Sequence, residues 1–358
     1  MTSANANWTD LPVLDFSRFQ AGSAEEKEAF LAELRQVAYQ LGFFYLSGHG
    51  IDESLIQEIR TISRRFFNLP EQDKLAIEMV NSPHFRGYTR VGREQTRGLP
   101  DWREQIDLGA ERPILPQDVG LPPWSRMQGP NQWPEALPEL REVTLRYQDA
   151  LSALAIRLIQ ALAAALGQPE TIFDPFITPS PNQLLKLIHY PGRDATGGDQ
   201  GVGPHKDSGF VTILLQDEQA GLQVEHEGSW IDAPPVPGTF VINIGELLEL
   251  ASNGYLRANV HQVVTPPAGV DRFSFAFFFG AGLDATVPLL SLPLELAGQV
   301  RGLTRDPLNP LFYEVGKNNL KNRLRSHPDV ARRHYADLLE PAEREGIASP
   351  LVGSEYSG

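Results

Sequence analysis

From Phe210 to Phe279 the chain is cut into apolar runs too short for helices, with turn residues between them. Phe210–Leu215 has strand length. Gly221-Leu222-Gln223-Val224 and Trp230-Ile231 flank His226-Glu227-Gly228 as the arms of a hairpin flank its tip. Pro237-Gly238 marks a turn before Thr239–Ile244, and Asn253-Gly254 marks another. His261-Gln262-Val263-Val264 and Arg272–Phe279 read as further strands. Many short strands with turns between them predict a jelly roll or a related double-sheet fold.

Chemistry-bearing residues sit on these strands. In extended chain, residues i and i+2 point to the same side. His205 and Asp207 can therefore reach one metal while Lys206 points away. His261 follows Asp207 by 54 residues (261 − 207). Two histidines and one carboxylate form the facial triad that holds iron(II) and leaves the opposite face open. Arg272 and Ser274 also share a face, and a guanidinium grips a carboxylate through two parallel hydrogen bonds. Each piece alone has an ordinary explanation. Eight histidines make one His-x-Asp pair unsurprising, and an arginine usually makes a surface ion pair. Chance produces the joint arrangement far less easily. A zinc hydrolase can also use His, Asp and His, but the Arg-x-Ser does not point there.

Composition narrows the remaining classes. At 358 residues the chain can bury a substantial core, in one large domain or two closely packed ones. A net charge of −14 weighs against nucleic-acid binding, though it leaves room for a local basic pocket around Arg86 and Arg90. Without cysteines there is neither a disulfide framework nor a thiolate metal site, which fits a cytoplasmic protein. Met1–Asp10 lacks the basic-then-apolar order of a signal peptide. Ala150–Leu166, the closest approach to a membrane span, contains Arg157 and Gln160 and reads as a buried amphipathic helix.

The periodicity predicts a short strand at Leu11–Phe16, a helix over Ala24–Leu41 and a strand at Phe43–Leu46. A helix capped by Asp52 should run to about Phe67, and a long one should cover Glu139–Leu166. The Pro-rich connection 113–138, with Trp124 and Trp133, should have packing of its own. Gly192–Gly203 reads as a flexible entrance loop. The expected division is a tail at 1–10, an N-terminal mixed α/β region at 11–138 and a long helix with the jelly-roll core at 139–290. A helical segment at 291–347 and a disordered tail at 348–358 follow.

These words together resemble the isopenicillin N synthase-like family of iron(II)/2-oxoglutarate-dependent oxygenases. The resemblance rests on Pro204–Gly209, Gly221–Val224 to Trp230, Asn243-Ile244-Gly245-Glu246, His261-Gln262-Val263 and Arg272-Phe273-Ser274. Upstream it continues through Leu187-Ile188-His189-Tyr190-Pro191, Gly42–Leu46 with Gly48-His49-Gly50-Ile51, and Phe66–Pro70. It covers roughly residues 11 to 290. It implies an α+β protein with a double-stranded β-helix (jelly-roll) core and flanking helices.

The resemblance further implies that His205, Asp207 and His261 ligate iron(II). 2-Oxoglutarate would bind as co-substrate through its C1 carboxylate and C2 keto oxygen, and O2 would take the last site. The far carboxylate would meet Arg272, Ser274 and the Tyr190 phenol, and succinate and carbon dioxide would be released. His84, Arg86 and Tyr88 lie where relatives bring residues over the pocket mouth, so Arg86 and Tyr88 are expected substrate contacts. Glu246, Gln262 and His189 depart from the usual family residues without removing a ligand. Two alternatives stay open: an iron oxidase of the same fold that does not use 2-oxoglutarate, and a non-catalytic jelly-roll binding protein. The expected partner is a small-molecule substrate, with neither nucleic acid nor membrane. The residues do not reveal its identity, the reaction outcome or the oligomeric state.

Overall fold

The computed structural model describes residues 10–344 apart from 117–119, 179, 195–197 and 304–308. The expected tail at 348–358, and nearly all of that at 1–10, lie outside the described residues. In chain order the strands are β1 (Val13–Asp15), β2 (Phe43–Ser47), β3 (Gly87–Thr89), β4 (Gln95–Thr96), β5 (Leu99–Pro100), β6 (Glu104–Gly109) and β7 (Asn182–Tyr190). There follow β8 (Gln200–His205), β9 (Val211–Gln216), β10 (Leu222–His226), β11 (Ser229–Asp232), β12 (Phe240–Ile244), β13 (His261–Val264) and β14 (Arg272–Gly280).

An eight-stranded sheet runs β1-β2-β12-β9-β14-β7-β6-β3, and a four-stranded sheet runs β11-β10-β13-β8. Among the described strands β1 and β2 pair in parallel and the other pairings are antiparallel. A buried cluster with Ile188, Tyr190, Val202, Val224, Val263 and Ala276 fills the space between the two sheets. This is the expected double-sheet core.

The other face of the large sheet is covered by helices. Phe273, Phe275, Phe277 and Phe279 alternate along β14 and join the helix-side core. The helix Ala24–Gln40 opens on a capping box, in which Ser23 Oγ accepts from the Glu26 amide and the Glu26 carboxylate accepts from the Ser23 amide. Its buried Phe30, Leu34, Val37 and Ala38 follow helical spacing. It ends at Gly42, where φ is +66° and a Cβ would come within 1.8 Å of the Arg257 carbonyl oxygen. Asp52 caps the helix Glu53–Phe67 by accepting from the Ser54 amide. Both helices pack on the long helix Glu139–Ala165, which in turn touches β9 and β14.

One expectation needs adjusting. The stretch Gly192–Gly203 is not one loop, because Gln200–Gly203 already belongs to β8. The Pro-rich connection does have its own packing. It contains a 3-10 turn at Pro123–Met127, Trp133 Nε1 donates to Glu111 at 2.6 Å, and Trp124 Nε1 donates to Asp284 at 3.1 Å.

Beneath the sheet, Glu104 ties elements together on the helix side. Its carboxylate accepts from Lys74 Nζ at 2.9 Å, Tyr88 OH at 2.5 Å and His189 Nδ1 at 2.7 Å. Burial disfavours its charge, but the hydrogen bonds from His189, Tyr88 and Lys74 outweigh burial and hold its pKa below 4.5. The folded state therefore binds fewer protons at this site than the unfolded chain. Its stabilisation is complete above 4.5 and is lost as pH falls through the lowered folded value. Glu104→Ala is expected to cost on the order of 3–5 kcal/mol, because Lys74 is left buried without its anion. Urea unfolding at neutral pH checks this, and the gap to wild type should narrow in acid.

Candidate active site

The triad forms where β8 and β13 pair. His205 and His261 are register partners across the two strands, which sets their ring centroids 4.2 Å apart. The strand β8 ends at His205, and Asp207 lies just past it but still turns to the same side. Asp207 Oδ1 is 3.5 Å from His205 Nε2 and 3.7 Å from His261 Nε2. The three ligand atoms all lie within 4.8 Å of one another.

The remaining polar atoms are already committed. His205 Nδ1 meets the Gly203 carbonyl at 2.8 Å and His261 Nδ1 meets the Asn259 carbonyl at 3.2 Å. A carbonyl can only accept, so each Nδ1 carries the proton and each Nε2 keeps its lone pair for a metal. Asp207 Oδ2 accepts from Thr212 Oγ1 at 2.6 Å and Asn243 Nδ2 at 2.8 Å, leaving Oδ1 facing the imidazoles. Burial alone would raise the Asp207 pKa, but the two histidines and the Thr212 hydroxyl hold it well below the usual range. Burial, then the neighbouring His205, pushes His261 down to about 4. Burial also disfavours charge on His205, but the Asp207 carboxylate more than offsets that and raises its pKa. Two imidazoles and an ionised carboxylate around one point suit a divalent iron.

Arg272 and Ser274 share the inner face of β14. Arg272 is fully buried. Its Nε donates to the Gln219 carbonyl at 3.3 Å and its Nη2 donates to Gln216 Oε1 at 3.0 Å, but Nη1 has no partner. Among the described residues no carboxylate lies within ion-pair distance of it. The Asp217 carboxylate acts on it only from beyond that distance; a buried guanidinium without a paired anion is costly, and a bound carboxylate would relieve that cost. Tyr190 is the register partner of Arg272 on β7, and its ring lies under the guanidinium at 4.9 Å. Tyr190 thus meets Arg272 through its ring face.

Family models match two stretches of the chain. The model described as non-haem dioxygenase in morphine synthesis N-terminal covers residues 11–136, and that of the 2OG-Fe(II) oxygenase superfamily covers residues 181–281. The chain belongs to the 2OG-Fe(II) oxygenase superfamily. The oxygenase is 38% identical to the 2-oxoglutarate-dependent dioxygenase frbJ of Dothideomycetidae sp., over 93% of this chain and 94% of that protein. It is 36% identical to a homoarginine-6-hydroxylase of Arabidopsis thaliana, over 82% and 90% of the two chains. Among solved structures it resembles a full-length Neurospora crassa protein in complex with alpha-KG and thymine. That match has a TM-score of 0.71 and 26% identity, covering 93% of this chain and all of the other. The enzyme is an oxidoreductase that uses iron(II) and 2-oxoglutarate, and the donor set and the anion-less Arg272 fit both.

A cavity of about 1200 Å³ opens in front of the triad and is lined by His205 and Asp207. Arg272, Ser274 and Tyr190 do not border it; all three are buried residues enclosed between the sheets. Phe278 faces the cavity, whereas Phe273, Phe275 and Phe277 serve the helix-side core. Arg86 lines the cavity. Tyr88 does not line it and is not the substrate contact expected from its place in the chain. Along β3 it turns to the helix side, where its hydroxyl donates to Glu104. His189 likewise faces the helices, bonded to Glu104 and stacked on Phe273.

Sequence reasoning missed a buried charge network on the cavity wall. Glu94 accepts from Lys186 Nζ at 2.7 Å and Arg103 Nη2 at 2.8 Å, and Arg323 Nη1 donates to Asp107 at 2.8 Å. Nothing in the sequence marks these residues as buried, since each reads as surface charge. A second omission is Asn243, whose amide orients the Asp207 carboxylate. Asn243→Ala is expected to weaken iron(II) affinity by roughly 10–100-fold, the usual cost of losing an outer hydrogen-bond partner of a metal ligand. Anaerobic iron(II) titration would measure it, and wild-type affinity would remove Asn243 from the site.

Proposed function

We propose that the enzyme oxidises a C–H bond of a small polar molecule, with His205, Asp207 and His261 holding the iron. Arg272, aided by Ser274, holds the far carboxylate of 2-oxoglutarate. The observation that carries this reading is the pairing of three convergent ligand atoms with a buried, anion-less guanidinium on the inner faces of the two sheets. The homoarginine-6-hydroxylase and the Neurospora crassa protein bound to thymine lend support for a small polar substrate. Among the described residues no helix is long and apolar enough to cross a membrane.

The protein's own tasks follow from the geometry. When bound, iron and 2-oxoglutarate supply, with O2, the oxidising power that removes hydrogen from an unactivated carbon. Thr212 and Asn243 fix the Asp207 carboxylate, and the Gly203 and Asn259 carbonyls fix both imidazole tautomers. The ligand atoms are thereby pre-oriented. Arg272 fixes the co-substrate by its far end, and the ring of Tyr190 holds the guanidinium from below. The cavity in front of His205 admits the substrate from the open side. Conversion of 2-oxoglutarate to succinate and carbon dioxide by iron-loaded protein in air tests the reading. Iron-loaded protein that leaves 2-oxoglutarate intact across a broad substrate panel would contradict it.

A further inference from the structure

We propose that the substrate of this oxygenase carries a carboxylate, and that Arg86 is the residue that grips it. The proposal rests on the reading of the cavity as the substrate chamber. The first observation is a charge inversion. The whole chain has a net charge of −14, yet among the described residues the cavity wall carries seven Lys and Arg side chains against four Asp and Glu. One of those four is Asp207, which faces the metal site.

The second observation is how those cations are matched. Lys186 and Arg103 share Glu94, Arg323 takes Asp107, and Lys206 takes Glu249 at 3.0 Å. Arg325 donates to Asn309 Oδ1 at 3.1 Å. Arg97 is exposed on the turn between β4 and β5, where water satisfies it. Arg86 has none of these arrangements. Its Nη1 reaches only the Phe85 carbonyl at 3.3 Å, its Nε is buried without a partner, and among the described residues no carboxylate lies within ion-pair distance. Asp107, the nearby acid, is already held by Arg323 and flanked by Lys186 at 3.8 Å. Burial, then repulsion from Arg323, lowers the Arg86 pKa to about 10, and the nearby Asp107 offsets this only in part. Arg272 likewise has a buried guanidinium nitrogen without a partner, at the site assigned to the 2-oxoglutarate carboxylate.

The third observation is that the side chain is seated, not loose. A Cβ at Gly109 would lie 2.4 Å from Nε and Nη2 and 2.5 Å from Cζ of Arg86, so the guanidinium rests against bare backbone. Gln132 Nε2 donates to the Arg86 carbonyl at 2.7 Å and fixes the main chain. One uncommitted guanidinium matches the two oxygens of a carboxylate. A phosphate dianion would call for more free donors. Arg86 and His205 line the same cavity, so a molecule held by its acid end at Arg86 can present its other end to the iron.

The test uses full-length enzyme loaded with iron(II) and 2-oxoglutarate under anaerobic conditions. The probes are aliphatic, aromatic and α-amino carboxylic acids, each beside its primary amide, with binding read by isothermal titration. At least one acid is expected to bind about ten-fold or more tightly than its amide. Arg86→Gln should erase that difference and Arg86→Lys should restore part of it, with the thermal midpoint unchanged in both. The proposal is overturned if no acid in the panel outbinds its amide, or if the preference survives Arg86→Gln. Failure of the 2-oxoglutarate reading is a separate result. The wild type would then show no iron–2-oxoglutarate charge-transfer band, while the acid–amide comparison could still be read.

Discussion

Replacing His261 by alanine is expected to abolish tight iron(II) binding and, with it, all 2-oxoglutarate turnover. His261 provides one of three ligand atoms, and its Nε2 lies 3.7 Å from Asp207 Oδ1 across the strand pair from His205. Removing it leaves one imidazole and one carboxylate, so the loss should exceed the roughly 10–100-fold cost of deleting an outer hydrogen-bond partner. The fold should survive. Among the described residues the imidazole makes a single protein hydrogen bond, from Nδ1 to the Asn259 carbonyl, and Asp207 keeps its bonds from Thr212 and Asn243 when it is removed. Circular dichroism with anaerobic iron titration separates the two effects. A folded His261→Ala protein that binds iron like the wild type would remove His261 from the metal site.

The second large effect is expected at Arg272. Arg272→Ala should raise the concentration of 2-oxoglutarate needed for half-saturation while leaving iron affinity intact. Truncating one partner of a buried, hydrogen-bonded charge pair costs about 2–5 kcal/mol, on the order of 30- to several-thousand-fold in affinity. Arg272→Lys should recover only part of this. A lysine supplies the charge but not the planar fork, and it cannot keep both the Gln216 and Gln219 bonds while reaching a carboxylate. Initial rates of succinate formation against 2-oxoglutarate concentration measure it. A half-saturating concentration unchanged in Arg272→Ala would place the far carboxylate elsewhere.

Much of the fold could be read from local chemistry. The strands from β9 to β14 were legible because turn residues bracket short apolar runs. The helix Ala24–Gln40 was legible because its apolar residues recur at helical spacing up to Gly42, and Glu53–Phe67 because Asp52 announces its start. The iron triad was legible because a strand holds i and i+2 on one side. What stayed hidden depends on register and burial. That His205 and His261 would be cross-strand partners follows from the pairing of β8 with β13, which is not a local property. Tyr88 was misassigned because the inward side of the three-residue strand β3 is set by its pairing with β6. The opening of β8 was taken for loop because its glycines obscure the strand pattern. Glu94, Arg103 and Lys186 look like surface charges until the cavity wall brings them together.

The most direct test of the central claim is a titration of 2-oxoglutarate into anaerobic, iron(II)-loaded protein, followed in the visible spectrum. Chelation of triad-bound iron by the keto acid should produce a metal-to-ligand charge-transfer band. That band should saturate at one equivalent, shift to much higher 2-oxoglutarate concentration in Arg272→Ala and vanish in His261→Ala. Tight iron binding with no band at saturating 2-oxoglutarate, or a band that persists in His261→Ala, would contradict the assignment of iron and co-substrate to this site.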